Sequence, residues 1–515
     1  MNATIQYDQV QLYLYIDPLP TITIPMSMTT NFRRQQHTGL CTLKVILIGH
    51  SDIQKFIRMS IWKCSQYCVS DVITMHKLST TPMKCLHCGC HLKEYENSRI
   101  ICNRVIAQMI ITETSLNHNF SVHTNIRVEL IDNLCENLEL GLEYELTGYM
   151  ATNGIFKAMG IIPNCKTFSL YKASISFFPT IIQMKIHLDS KSPYNFVYIL
   201  SSQLGVAQKL APQQLFINFK MGILLSLASF KNSCDTIPLP ILAVGFDTYF
   251  PNQLMSLASK YAVRCVSLSP NNSNIIGGKN KDGWYEIGSL SLANSGVCYL
   301  AMESGKMQLG ESGSYRLPLK SAIWTYFGFQ SKTKEQAQLQ TLVNIFGMPF
   351  LSDPHDDVAY VQYILEQELQ VNITSDDYTI IPEAELVLYL RAVNSRTVSV
   401  TPSTEELIKD YFVTCRRCRE GTFPIRILDS LLLMAESHAK LHLRSETTRY
   451  DAVVAIWLLE ESFQAMYGID ISNPSPQCTY EIEKIDKYFL LFEEWLYKFI
   501  STNRNNNNCF NFTQL

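Results

Sequence analysis

Four cysteines are the residues whose types and spacing most directly specify chemistry. Cys64-x3-Cys68 and Cys85-x2-Cys88 form two close pairs separated by sixteen residues. Each pair fits a tight knuckle, and two converging knuckles present four thiolates to one tetrahedral zinc ion. Four protein ligands leave no coordination position open to substrate, so the expected role is structural. His87, Cys90, His91 and Cys102 lie close enough in sequence to replace one ligand. The alternative is a set of buried or surface thiols without metal. Cys415-x2-Cys418, flanked by Arg416, Arg417 and Arg419, has no second pair beside it. His438 and His442 are one helical turn apart and lack a third ligand, which points to a helix surface rather than a metal pair.

A second chemistry is suggested by strand, loop and helix in succession. Pro240-Ile-Leu-Ala-Val-Gly245 reads as a buried strand, and Phe246 to Met255 leads into a helix continuing to about Tyr261. In a P-loop this frame uses backbone N–H groups to cradle phosphates and a lysine to reach the terminal ones. Here bulky Tyr249 and Phe250 stand where a chain must wrap a phosphate closely, followed by Pro251 and Asn252. Gly277-Gly-Lys-Asn-Lys281 offers Lys279 and Lys281 as phosphate-backbone contacts, with a solvated turn as the alternative.

The elements that must position these groups follow from periodicity. Leu43 to Gly49, Arg104 to Glu113, Asn125 to Leu134 and Leu140 to Gly148 read as strands, with Ile126, Val128 and Leu130 facing inward. Pro212 to Phe230 is too densely apolar for a one-sided helix and reads as a buried one. In Gly283 to Met307, Ile287, Leu290 and Leu292 read as strand formers. Asn294-Ser-Gly296 follows as a turn, and Val297 to Met302 as a strand buried on both faces. Ile425 to Leu443 has a single apolar helical face, and Thr448-Arg-Tyr-Asp451 reads as a capping box opening the next helix. Tyr480 to Ile500 is an aromatic-rich helix, and Asn503 to Asn508 opens a low-complexity tail.

Bulk properties narrow the class. A chain of 515 residues has room for two to four domains. Hydrophobic content of 47% with 17% charged residues is that of a globular protein. A net charge of −3 argues against coating nucleic acid by bulk charge, while leaving room for local basic patches. No secretory leader and no apolar run of about 18 residues is visible, so a soluble intracellular protein is expected. In that setting the sixteen cysteines read as thiols or metal ligands rather than disulfides.

The stretch from Gly283 through Trp284, Glu286, Gly288, Leu290, Leu292, Asn294 and Val297-Cys298 to Lys306-Met307 resembles a segment of the minichromosome maintenance (MCM) helicase family. Asp132-Asn-Leu134, Leu140-Gly141 and Leu146-Thr-Gly148 are similar to that family's N-terminal domain. Ala435 to Arg444 with Asp451 to Ile456 is similar to its lid helices. The resemblance implies an N-terminal OB-fold β-barrel with an inserted zinc ribbon, then an α/β AAA+ (P-loop-like) core with a C-terminal all-α lid. The boundaries it implies are 1–175 for the barrel domain (ribbon about 62–103), 176–395 for the core and 396–475 for the lid. A helix at 476–502 and an Asn-rich disordered tail at 503–515 would follow. The helical subdomain ahead of the barrel in MCM subunits is expected to be absent.

Against the family pattern, the working groups are missing. Aligned on Val244-Gly245 and Gln253-Leu254-Met255, the P-loop lysine position is Pro251 and the magnesium-binding hydroxyl position is Asn252. The strand that ends in two acids in the family ends here in Leu300-Ala301-Met302 before Glu303. Phe327 replaces the sensor asparagine and Ile345 the arginine finger, while Arg426 matches the second sensor arginine. Only thirteen residues separate Met307 from Ser321, too few for the helix and DNA-tracking hairpin placed there in MCM enzymes. Phosphoryl transfer rests almost wholly on charge stabilisation, so these losses together leave no hydrolytic mechanism.

A divergent, meiotic branch of the family combines a zinc module with such a degenerate core. That resemblance implies a nuclear, non-catalytic subunit that supports meiotic recombination, double-strand-break repair and crossover formation. It implies partnership with other MCM-like proteins (the eighth and ninth paralogues) and with single-stranded DNA or recombination intermediates. Structural zinc is the implied cofactor, and ATP is not. Arg33, Arg34, Lys44 and Arg127 would serve a barrel groove for DNA, with solvated surface charge as the alternative for each. The competing readings are an active or residually nucleotide-binding MCM-type helicase and a zinc-dependent enzyme.

Overall fold

The computed structural model describes residues 40–66, 72–75, 84–95, 97, 99–112, 124–163, 178–189, 192–231, 237–268, 275, 277–280, 282–303, 319–328, 334–369, 380–419, 423–467 and 474–505. The chain divides into two compact units, Met1–Cys165 with Gly277–Gly288, and Lys166–Ile276 with Ser289–Leu515. Arg33, Arg34, Cys68, Lys281 and residues 506–515 of the expected Asn-rich tail lie outside the described residues, while Asn503–Asn505, expected to be disordered, end the last described helix.

The first unit is built on strands β1 (Cys41–Ser51), β2 (Gln54–Cys64), β3 (Val72–Met75), β4 (Leu92–Glu94), β5 (Ile100–Ile111), β6 (Thr124–Ile131), β7 (Glu143–Met150) and β8 (Phe156–Pro163). Alternating burial along β1 turns Leu43, Val45 and Leu47 inward. Val105, Ala107 and Met109 of β5, Val128 and Leu130 of β6, Leu146 of β7 and Phe156 of β8 join them in one core. Period-two patterning of this kind puts one face of every strand in the interior, at about 1.5–3 kcal/mol for each large side chain fully buried. Pairing runs β1-β7-β8-β6-β5 and closes through β5 back to β1, giving a five-stranded ring in which only β6 and β8 are parallel. Closure removes the exposed edges along the paired lengths of those five strands, and leaves Gly49–Ser51 of β1, beyond its pairing with β7, open to a further strand. Strands β2, β3 and β4 extend from the ring as an arm.

The second unit opens with helices α1 (Pro179–Asp189), α2 (Asn195–Ser202) and α3 (Ile217–Ala228). Every residue of α3 is buried, as its dense apolar sequence requires. Even Lys220 is enclosed, donating to the carbonyls of Ser202 (3.2 Å) and Pro212 (2.7 Å) while burial pulls its ammonium down to about 7. Strand β9 (Ile241–Gly245), helix α4 (Tyr249–Ala258) and strand β10 (Cys265–Leu268) follow.

The chain then contributes a hairpin, β11 (Gly277–Lys279) and β12 (Trp284–Ile287), to the first unit, where β12 pairs antiparallel with Gly49–Ser51 of β1. Gly49 makes this possible: a Cβ there would lie 2.8 Å from Trp284 Nε1 and 2.9 Å from the Tyr285 carbonyl oxygen. A short helix α5 (Ser289–Leu292) follows, then β13 (Val297–Glu303), β14 (Ala322–Gly328), α6 (Lys334–Phe346) and β15 (Pro349–Leu351). This corrects the expectation that Leu290 and Leu292 are strand residues. Their two-residue spacing fits a helical turn as well as a strand, and four residues are too few for periodicity to decide. The five strands of the second unit form a wholly parallel sheet in the order β10-β13-β14-β9-β15.

Helices α7 (Asp357–Glu368), α8 (Glu383–Asn394), α9 (Pro402–Cys418), α10 (Arg426–Leu441), α11 (Arg449–Tyr467) and α12 (Ile485–Asn505) complete the second unit. Its core joins the sheet to the helices through Phe219, Trp324, Phe350, Tyr389, Leu431 and Trp457. No helix among the described residues is long and apolar enough to cross a membrane.

Candidate functional site

In a parallel sheet, ligands bind in the crevice outside the carboxyl ends of the strands. The loop leaving β9 lies at that end, and the backbone donors of Phe246, Asp247 and Tyr249 are already engaged. Asp353, just past β15, turns its carboxylate onto this loop. Its two oxygens accept from Phe246 N at 2.9 Å each, and Oδ1 also accepts from Asp247 N at 3.3 Å. Asp247 Oδ1 in turn accepts from Tyr249 N at 2.8 Å. Gly245 admits this arrangement, because a Cβ there would lie 2.4 Å from Asp353 Oδ1 and 2.6 Å from Ser352 Oγ. Burial raises the Asp353 carboxyl from its ordinary value, and the two backbone N–H groups only partly oppose that rise. The N–H groups that hold an anionic phosphate in a P-loop therefore hold the chain's own carboxylates.

The helix that follows is equally closed. Pro251 is buried in the first turn of α4, where its missing N–H costs no intrahelical bond. Phe250 stacks on Phe216 with ring centroids 3.8 Å apart, and Tyr360 of α7 meets Phe216 edge-on at 5.0 Å. Asn252 Oδ1 accepts a hydrogen bond from the Tyr299 hydroxyl of β13. Phe327 is buried on β14, and Ile345 is exposed on α6. Arg426 begins α10 against the corner after α6, its Cγ 3.0 Å from where a Gly347 Cβ would stand. Asp353 and Tyr299 were not singled out in the sequence. Nothing local marks either one, since Asp353 lies 107 positions from Phe246.

Three of the four expected cysteines converge. The Sγ atoms of Cys64, Cys85 and Cys88 lie within 4.8 Å of one another, with Cys64 and Cys88 at 3.4 Å. Ligands at about 2.3 Å around a tetrahedral zinc stand roughly 3.8 Å apart, so the donor set fits that ion. Cys64 ends β2, while Cys85 and Cys88 sit on a turn closed by Gly89 N to Cys85 O (3.0 Å) and Cys85 N to Cys90 O (2.8 Å). Cys90, His91 and Cys102 are not part of the converging group. His87 is exposed on the turn.

The cationic candidates are distributed around the first unit. Lys44 lies opposite Glu145 on β7, and Arg127 is exposed on β6 opposite Gln108. Lys279 is held by Asp52, with Nζ 2.9 and 2.8 Å from its two carboxylate oxygens, and lies over the Tyr285 ring at 5.1 Å.

In the second unit, His438 and His442 are buried, which corrects their expected place on a helix surface. The face of α10 read from the sequence was too narrow, because α10 packs against both α3 and α11. His438 Nδ1 is 2.6 Å from Asp451 Oδ1, and Arg444 donates to both oxygens of Asp451 at 2.7 and 3.0 Å. Asp451 also accepts from Thr448 N at 2.6 Å, the reciprocal half of the expected capping box. Cys415 is buried and Cys418 exposed.

A barrel-like sheet with a thiol cluster, a parallel α/β sheet and a set of C-terminal helices are consistent with an MCM-like multidomain fold. Residues 385–463 match the MCM AAA-lid domain. The chain is 21% identical over 499 residues to Minichromosome maintenance domain-containing protein 2 of Mus musculus, covering 81% of this chain and 71% of that protein. The protein of that name in Homo sapiens is 21% identical over 498 residues, with the same coverage of 81% and 71%. A protein named Probable DNA helicase MCM9, from Arabidopsis thaliana, is 26% identical over 293 residues, covering 49% of this chain and 45% of that protein. The resemblance read from the sequence is borne out: the chain is similar over most of its length to proteins named for an MCM domain, and residues 385–463 match the MCM lid.

Proposed function

We propose that this chain is a non-catalytic MCM-like subunit that supports meiotic recombination and double-strand-break repair in the nucleus by assembling with other MCM-like proteins on DNA. The observation that carries the non-catalytic part is the loop after β9. Its N–H groups are occupied by Asp353 and Asp247, and Pro251 stands buried where the resemblance places a lysine. A triphosphate would have to displace a bonded carboxylate and would meet no cation in its place. The nuclear and meiotic parts rest on the resemblance to the meiotic branch read from the sequence, and the relatives' names support only the MCM part.

The five-stranded ring, with β6 and β8 parallel, supports an OB-fold reading, and the arm of β2, β3 and β4 supports an inserted zinc ribbon. Cys64, Cys85 and Cys88, with Cys68 as the fourth thiolate, would hold the metal. Zinc would supply folding energy by clamping the arm and would take no part in a reaction.

Purified protein is expected to turn over ATP no faster than background, with or without the Arg426→Ala change. Turnover that falls on Arg426→Ala would establish a working site and sink the reading. Metal analysis tests the arm: about one zinc per chain is expected, lost on Cys85→Ala, and unchanged zinc content in that variant would remove the site.

A further inference from the structure

Helix α7 and its C-cap residue Leu369 carry an apolar stripe on the side opposite Tyr360. The inner face of α7 is set by Tyr360, which packs on Phe216 and Phe250. On the opposite side Val358 is 76% exposed, Val361 54%, Leu365 56% and Leu369 73%. At about 100° per residue these four fall within roughly 80° of one another, the spacing of a helix-pairing seam. A solvent-facing helix ordinarily puts charge there, and a contiguous apolar stripe marks a contact surface.

The residues beside the stripe say what covers it. Asp357 and Glu368 flank one side and Glu366 the other, and α7 contains no lysine or arginine. A second copy of the same helix would set acid against acid, and an anionic membrane surface would be repelled in the same way. The complementary occupant has an apolar seam bordered by cations.

We propose that the outer face of α7 is a docking surface for an amphipathic helix of another protein, with a leucine-type seam flanked by lysine or arginine. The apolar side chains supply affinity and the acidic borders select the partner's sign. The proposal rests on the assembly reading above only for the expectation that a protein partner exists, and it holds whether or not ATP is hydrolysed.

The test uses the full chain and two labelled helical peptides with identical leucine seams, one bordered by lysine and one by glutamate, followed by fluorescence anisotropy. The lysine peptide is expected to bind at least tenfold more tightly than the glutamate peptide. Val361→Glu with Leu365→Glu is expected to weaken it at least tenfold. Asp357→Lys, Glu366→Lys and Glu368→Lys together are expected to reverse the preference. An exposed apolar residue elsewhere, Ile186→Glu, serves as control and is expected to leave binding unchanged. Equal binding of both peptides, or affinity unaffected by changes in α7, would overturn the proposal. So would self-association of the chain that disappears with Leu365→Glu, since the occupant would then be a second copy. ATP turnover in a protein that still selects the lysine peptide would defeat the non-catalytic reading alone.

Discussion

Asp353 shows how one side chain decides the character of a site. A carboxylate accepting from two backbone N–H groups in a largely exposed loop replaces the ligand those groups would otherwise seek. Asp353→Ala removes the acceptor and leaves the donors of Phe246 and Asp247 without it. We expect a loss of about 1.5–3 kcal/mol, read as a lower denaturation midpoint in urea, with Asp353→Asn losing less. A variant as stable as the parent would show that solvent satisfies those donors equally well. The residue scale is also where legibility divides most sharply. The cysteines could be read because their spacing lies within a few dozen residues of chain. Asp353 could not, because its partners follow the neighbouring strand β9, 107 positions away in sequence, and an isolated Leu-Ser-Asp after a strand carries no signal.

At the scale of elements, the corner between α10 and α11 couples packing to pH. Burial pushes His442 down to about 4, so it is neutral in the folded protein. Burial works against the Asp451 carboxylate, yet His438, Arg444 and the Thr448 amide hold it at about 2. The two groups act in successive windows. The unfolded chain takes up a proton on His442 below its ordinary value of 6.5 while the folded chain resists until about 4, so stability falls across that interval. Asp451 contributes above its unfolded value of 3.8, and that contribution is lost as pH falls towards 2. We expect a decline on the order of 3 kcal/mol between pH 6.5 and 4, flattened in His442→Phe and measured by denaturant titration at each pH. A slope unchanged in that variant would place the sensitivity elsewhere. The helices of this corner were readable from their apolar period, and the capping pair from Thr448 and Asp451. The burial of both histidines was not, because periodicity gives the centre of a buried face but not its width once a helix is packed from two sides.

The whole molecule is organised by a chain that leaves its first unit at about residue 165, returns at 277–288, and leaves again. The family pattern implies a boundary at 175 and a core that includes the hairpin. Sheet pairing follows edge complementarity instead, and the run of β1 beyond its pairing with β7, Gly49–Ser51, takes up Trp284–Glu286. A fragment of residues 1–165 would keep the ring but lose that pairing, the Asp52–Lys279 ion pair and the bond from Asp52 N to the Gly283 carbonyl. We expect it to scatter light at lower temperature than the same fragment with residues 277–288 attached by a flexible linker, because an unpaired strand edge templates association. Equal behaviour of the two fragments would show that the hairpin adds nothing to the barrel.

That returning hairpin also sets an order of events during synthesis. When the ribosome has delivered the ring, the strand that completes β1 is still more than a hundred residues from being made. The nascent ring must wait with Gly49–Ser51 of β1 lacking their β12 partner while the parallel sheet begins to be translated behind it. At elongation rates of about 5–20 residues per second that interval lasts several seconds or more. A holdase that shields β1 during this window would raise the yield of native protein, and slowed translation between residues 165 and 284 would lower it.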